Sequence, residues 1–255
     1  MNKTFRIFEH FNFRFSVKTM ARYKVNKSFS RDGRFSEKAK AVQRMFGLTE
    51  EKIRSQTVLH NCELEIKSGD IVYITGPSGA GKSVFLGELE NQIPAEERIN
   101  LSQIELSKEL SVIDCIDGDL ISSLKALNTA GLNDVYCVLN RPAYLSDGQK
   151  WRFRLAVAIR AGRKFVIADE FCSGLDGITA ACVAYNVRRF AKESGITFLL
   201  AGCKDDILLD LQPDVLVVRE LSGEGEVVYK EYSPPRRIRL RRTFGIKKNE
   251  KRCEM

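Results

Sequence analysis

Gly76-Pro77-Ser78-Gly79-Ala80-Gly81-Lys82-Ser83 decides the reading of this chain. It meets the pattern G-x-x-x-x-G-K-[ST] at each fixed position, the pattern of a loop whose backbone N–H groups cradle phosphates. The residues on either side suit that role. Asp70-Ile71-Val72-Tyr73-Ile74-Thr75 is a short, β-branched apolar run that reads as a buried strand. Ser83-Val84-Phe85-Leu86-Gly87-Glu88-Leu89-Glu90 reads as the start of a helix. A strand, a glycine loop and a helix N-terminus together aim backbone amides at an anion. The predicted cradle runs from Gly76 to Val84, with Lys82 reaching the β- and γ-phosphates and the Ser83 hydroxyl binding Mg2+. The alternative, a glycine turn before an ordinary helix, does not account for these flanks.

Three later stretches extend the pattern. Leu145-Ser146-Asp147-Gly148-Gln149 places Ser146 as an N-cap before a helical run with Trp151, Leu155, Ala158 and Ile159 on one face. This second helix N-terminus offers a hydroxyl and a glycine amide. Phe165 to Ala168 is an apolar run ending in Asp169-Glu170. In open α/β sheets ligands lie at the carboxyl ends of strands, so Asp169 is the expected Mg2+ carboxylate and Glu170 the residue that orients or deprotonates a water. Ser173-Gly174-Leu175-Asp176 follows, then a helix from Ile178 to about Lys192 stopped by Gly195, a strand over 196–201, Lys204, a short helix to Leu211 and a strand over 215–218. The alternation of strand and helix predicts an α/β fold with a mostly parallel sheet. Val58-Leu59 with Cys62 to Ile66 reads as an antiparallel strand before it, 111–114 as a strand end, and Leu120 to Leu127 as a helix.

The 255 residues carry a net charge of +8 that is unevenly placed. Residues 1–45 hold 12 Lys/Arg against 3 Asp/Glu, residues 233–255 hold 9 against 2, and 46–232 is left at −8. The predicted organisation is a basic N-terminal arm (1–45), an acidic body (46–232) and a polybasic tail (233–255). In the arm, 11–18 alternates aromatic and basic residues as a strand that Tyr23 to Val25 pairs with, and Ser36 caps a short helix to Phe46. Aromatics among basic residues suit nucleic acid, although packing of the aromatics on the body is the plainer reading. Seven cysteines, odd in number and without a C-x-x-C pair, argue against a disulfide framework and a zinc site. Without a secretory signal or an apolar run of membrane-spanning length, a cytoplasmic protein is expected.

Taken together, the four motifs in their order resemble the nucleotide-binding domain of the ABC ATPase superfamily over about residues 46–230. The wording of 145–156 is most similar to a cytosolic branch of which some members carry a predicted acetyltransferase domain. The resemblance implies a P-loop NTPase fold with an antiparallel β part, and a helical subdomain that is reduced here, since 64 residues separate Lys82 from Ser146. It implies two protomers paired head to tail around two ATP molecules, each between residues 76–84 of one chain and Ser146, Gly148 and Gln149 of the other. Asp176 would communicate between the sites, Lys82 and Glu170 would serve hydrolysis, and Ser83 and Asp169 would hold Mg2+. Two positions depart from the family pattern. Asp147 stands where glycine is usual, and Lys204 stands where a switch histidine is usual, so Lys204 is the expected γ-phosphate contact. Asp114 is the first candidate for the metal-sensing glutamine position and Gln103 the second; Phe46 is the candidate adenine platform.

Three functions fit these residues: a stand-alone cytosolic ATPase that closes as a dimer, with nucleic acid as its expected target; the ATPase subunit of a transporter with separate membrane chains; and an ATP-sensing module with little hydrolysis. The short helical region and the basic ends favour the first. A reduced docking surface counts against the second.

Overall fold

The computed structural model describes residues 20–29, 36–45, 47, 56–220 and 225–230. In chain order the elements are β1 (Met20–Phe29), α1 (Glu37–Met45), β2 (Gln56–Lys67), β3 (Ile71–Thr75), α2 (Lys82–Asn91), β4 (Arg98–Asn100), α3 (Leu120–Thr129), α4 (Val135–Leu139), α5 (Asp147–Arg160), β5 (Phe165–Ala168), α6 (Gly177–Ser194), β6 (Thr197–Ala201), α7 (Leu208–Leu211), β7 (Val215–Arg219) and β8 (Gly225–Tyr229). The strand 11–18, Phe46 and the tail 233–255 lie outside the described residues, as does most of the basic charge at the two ends.

Six strands form one sheet in the order β4-β5-β6-β3-β7-β8. The first five are parallel, and β8 closes the edge antiparallel to β7. All five residues of β3 are buried, as expected of a parallel strand covered on both faces. The period-two alternation divides its side chains between two layers. Ile71 and Tyr73 join Val166, Ala168, Phe198 and Leu200 beneath α5 and α6. Val72 and Ile74 join Ile167, Leu199 and Val217 beneath Phe85, Leu86 and Leu89 of α2. This second layer is completed by Val25 of β1 and by Leu64 and Ile66 of β2. The sheet is therefore sandwiched between helices on one side and a helix plus an antiparallel ribbon on the other.

Local signals account for most helix ends. Asp119 caps α3 by accepting from the N–H groups of Ile121 and Ser122. Ser146 and Gln149 form a reciprocal capping box at α5. Gly195 ends α6 in the left-handed conformation at φ 74°.

Tyr23 to Val25 pairs with Leu64, Glu63 and Cys62 of β2; the expected neighbour, 11–18, lies outside the described residues. Residues 111–114 form a turn closed by the Asp114 N–H on the Ser111 carbonyl, not a strand end. β4 and β8 were not anticipated. β4 is three residues long, two of them polar, and is a strand only because Arg98, Ile99 and Asn100 run beside Phe165, Val166 and Ile167 of β5.

Candidate nucleotide-binding site

Because β3, β5 and β6 are parallel, their carboxyl ends share one edge of the sheet, and each carries a motif. The 76–83 loop leaves β3. Gly76, Gly79 and Gly81 all have positive φ, at 143°, 84° and 79°, where a side chain would be strained. Gly76 has a second reason to be glycine: a Cβ there would lie 2.2 Å from the Arg219 carbonyl oxygen. Gly76→Ala is therefore expected to cost about 2 kcal/mol or more of loop strain. It should weaken binding of a fluorescent ATP analogue at least about tenfold while the circular dichroism spectrum is kept.

Gly81 is the N-cap of α2 and has no side chain with which to cap it. The N–H groups of the first helical turn are thus left for an external acceptor, with the positive end of the helix dipole behind them. The Lys82 ammonium folds back onto the loop, donating to the Gly76 carbonyl at 2.9 Å and the Pro77 carbonyl at 2.8 Å. A phosphate oxygen would be a stronger, charged partner for the same donor. The Ser83 side chain is exposed beside it. An uncapped helix of ten residues, a lysine and a hydroxyl on one turn fit a Mg2+-bound triphosphate.

Asp169 leaves the end of β5 half-buried, and one of its carboxylate oxygens accepts from the Glu170 N–H at 2.9 Å. Glu170 is exposed and sits at φ 51°, a left-handed conformation that costs a non-glycine residue on the order of 1 kcal/mol. The surroundings enforce it: the Phe171 N–H returns at once to the Ala201 carbonyl of β6 at 2.7 Å. The chain must turn sharply between the two bonds, and Glu170 is left exposed at the end of β5. Cys172 follows at φ 59°, and burial pushes its thiol up to about 12.

Beyond β6, Lys204 is clamped from both ends. Its carbonyl accepts from the Tyr73 hydroxyl at 2.9 Å, and its ammonium donates to the Leu175 carbonyl in the 173–176 loop. The adjacent Asp205 accepts from the Thr75 hydroxyl at 2.6 Å, tying this loop to the end of β3. Tyr73, Phe171 and Trp151 form an edge-to-face series, with ring centroids 6.4 and 5.5 Å apart. Leu175 also approaches the signature turn: a Cβ on Gly148 would lie 3.2 Å from its side chain. Asp176 caps α6 by accepting from the Thr179 N–H at 3.0 Å. The Thr179 side chain and backbone bonds hold its carboxyl below the usual range.

In the 146–149 turn, Ser146 and Asp147 are exposed. The Asp147 carboxylate is solvated and lies 3.6 Å from the Lys150 ammonium, which offsets the charge that departs from the family pattern. Gln149 is held by the capping box. Gln103 follows β4 by three residues, on the same sheet edge as Asp169, whereas Asp114 is in the 111–114 turn, accepting from Ser111. The three-residue strand that carries Gln103 toward this edge has no recognisable periodicity. Tyr73, Thr75 and Asp205 were missed, because their roles depend on neighbours about 130 residues away. Among the described residues no group of His, Cys, Asp and Glu forms a preassembled metal site.

A parallel sheet with a glycine loop opening a helix beside its first strand, and an acidic pair ending a neighbouring strand, defines a P-loop NTPase. An ABC transporter family model matches residues 59–118. The chain is 29% identical to an aliphatic sulfonates import ATP-binding protein of Yersinia pestis over 188 residues, covering 65% of this chain and 69% of that protein. It is 27% identical to a methionine import ATP-binding protein of Streptococcus agalactiae over 220 residues, covering 70% of this chain and 61% of that protein. In structure it is similar to MJ0796, a dimeric bacterial ABC transporter cassette, at TM-score 0.59 and 18% identity, covering 83% of this chain and all of that one. It is also similar to cbiO1 of Clostridium perfringens, part of an ABC transporter complex, at TM-score 0.52 and 20% identity, covering 68% and 81%. The chain has the α/β P-loop NTPase fold of an ABC-type nucleotide-binding domain, and its sequence is similar to ABC-type ATP-binding proteins. That class binds and hydrolyses ATP.

Proposed function

We propose that this chain is the ATP-hydrolysing subunit of a transporter whose membrane-spanning chains are separate, working as a head-to-tail pair. The observation that carries the transport reading is an unpartnered apolar surface on the helical subdomain. Leu120, Ile121 and Leu124 of α3 and Val135, Tyr136 and Leu139 of α4 are all exposed, Tyr136 by 88%. Each helix thus presents three exposed apolar side chains, and groups of exposed large apolar side chains mark interaction surfaces. Six such residues on two short helices suit a partner helix, so the short spacing between Lys82 and Ser146 does not remove the docking surface. The import ATP-binding proteins named above agree with this reading. No described helix is long and apolar enough to cross a membrane. Kinship with the cytosolic branch rests on the wording of 145–156 alone.

The chemistry follows from the sheet edge. The first-turn amides of α2 and Lys82 bind the β- and γ-phosphates of ATP. Ser83 and Asp169 are the residues that would hold Mg2+, which when bound would supply charge neutralisation at the phosphates, and Gln103 is the residue assigned to the metal-sensing position. Glu170 takes a proton from a water that attacks the γ-phosphorus, and ADP leaves. Ser146 and Gly148 of the partner complete the anion site from the opposite side, so hydrolysis removes the charge that bridges the two chains. Lys204 contacts the γ-phosphate and through Leu175 senses the 173–176 loop. Residues 46–232 are the proposed ATP-binding domain.

Fractionation of cells expressing the tagged chain tests the transport role. The chain is expected in the membrane fraction, to be solubilised by detergent together with a polytopic partner. Tyr136→Glu with Leu139→Glu should release it from that fraction and leave its own ATP turnover unchanged. A chain that remains in the soluble fraction, with turnover stimulated by DNA or RNA instead, overturns this reading in favour of an ATPase acting on nucleic acid.

A further inference from the structure

A continuous set of hydrogen bonds joins the exposed helix α4 to the serine of the signature turn. Asp134 caps α4, accepting from the Tyr136 N–H at 2.9 Å with one carboxylate oxygen. Its other oxygen accepts from the Cys137 thiol at 3.3 Å. The Cys137 sulfur accepts in turn from the Gln149 side-chain amide at 2.9 Å. The carbonyl end of that amide accepts from the Ser146 N–H at 2.9 Å, and the Ser146 hydroxyl accepts from the Gln149 N–H at 3.3 Å. Cys137 therefore links the α4 cap to the capping box of α5. Its thiol is buried, and burial, reinforced by Asp134, raises its pKa. It thus remains protonated at neutral pH, able to donate to Asp134 while accepting from Gln149.

We propose that Cys137 is a positioning residue for Ser146: it fixes the Gln149 amide, and so the orientation in which the serine hydroxyl is presented to ATP bound on the partner chain. The outward face of α4 carries Val135, Tyr136 and Leu139, while its inward face carries Cys137 and Val138. A displacement of α4 by a docked partner would reach Ser146 through two hydrogen bonds. The role concerns the trans half of the ATP site and rests on the head-to-tail reading given above. It does not involve the 76–83 loop, which sits on other elements.

The experiment uses Glu170→Gln as the background, so that ATP is bound but not consumed. ATP-dependent dimerisation is measured by sedimentation velocity, and ATP affinity of the monomer by titration at concentrations below dimerisation. Cys137→Ala and the volume-conserving Cys137→Val are each expected to weaken the dimer about tenfold or more, leaving the monomer's ATP affinity and melting temperature within error. Cys137→Ser restores the dimer, since a hydroxyl donates to Asp134 and accepts from Gln149. Equal dimerisation of Cys137→Ala and its parent would overturn the proposal, as would a parallel loss of monomer affinity. If the parent itself forms no ATP-dependent dimer, the head-to-tail reading fails first and this role with it.

Discussion

Lys82→Ala is expected to lower ATP affinity by about 10- to 100-fold and to abolish measurable turnover. The ammonium is the only cationic side chain on the 76–83 loop, and it bonds to the loop carbonyls of Gly76 and Pro77. Moving it to a phosphate exchanges neutral acceptors for charged ones, and hydrogen bonds to charged groups contribute about 1.5–3 kcal/mol each. At about 1.4 kcal/mol per tenfold, that is the range given for binding. Turnover falls further, because charge on the phosphates grows in the transition state and the lysine interacts more strongly there than in the ground state. Calorimetric titration with ATP and a phosphate-release assay measure the two effects. Full activity in the variant would remove Lys82, and with it the loop, from the site. Loss of folding is not expected to confuse the result: the side chain is half-buried and satisfies only the loop it belongs to.

Glu170→Gln is expected to lower turnover by about 10²–10⁴-fold, the usual contribution of a positioned general base, while ATP binding is retained. The amide has the size of the carboxylate but cannot take the proton from the attacking water. The Glu170 side chain is exposed, and its left-handed backbone is imposed by the Asp169 and Phe171 hydrogen bonds on either side. The turn therefore persists in the variant. With hydrolysis stopped, the ATP that bridges the two chains stays in place, and a dimer should accumulate in light scattering after gel filtration with ATP and Mg2+. A variant that stays monomeric with saturating ATP would argue against the composite site. A variant with unchanged turnover would move the base elsewhere. The two readouts are independent, since a monomer with abolished turnover would keep Glu170 as the base and reject only the pairing.

The parts of this molecule that were legible early are those written in contiguous residues. β3, the glycine loop and α2 occupy 71–91 without interruption, and each is specified locally: β-branched apolar residues, glycines at positive φ, and a helix start that has no side chain to cap it. The α5 cap and the acidic pair after β5 were legible for the same reason. What was not legible depends on pairing across long separations. Tyr23 to Val25 pairs with residues about 40 positions further on, at 62–64. Among Tyr23, Lys24 and Val25 only Val25 is buried, and one buried aliphatic residue does not say which strand it will lie beside.

The same boundary runs through the site. Sequence alone determined that a triphosphate loop, a capped signature turn and two carboxylates are present, because each is a short motif whose chemistry depends on residue type and spacing within a few positions. Only the tertiary structure decided how they act together. β4 exists because β5 supplies its hydrogen-bonding partner, and it carries Gln103 to the edge where Asp169 lies. Lys204 reaches the Leu175 carbonyl, and Gly148 meets the Leu175 side chain, across gaps of about 30 residues. Nothing in the sequence set Cys137 apart from the other six cysteines; α4 packed beside α5 places its sulfur on Gln149. Hydrogen-bond partners are set by which elements the core brings within 3 Å, and burial of apolar faces, a non-directional and collective force, makes that choice.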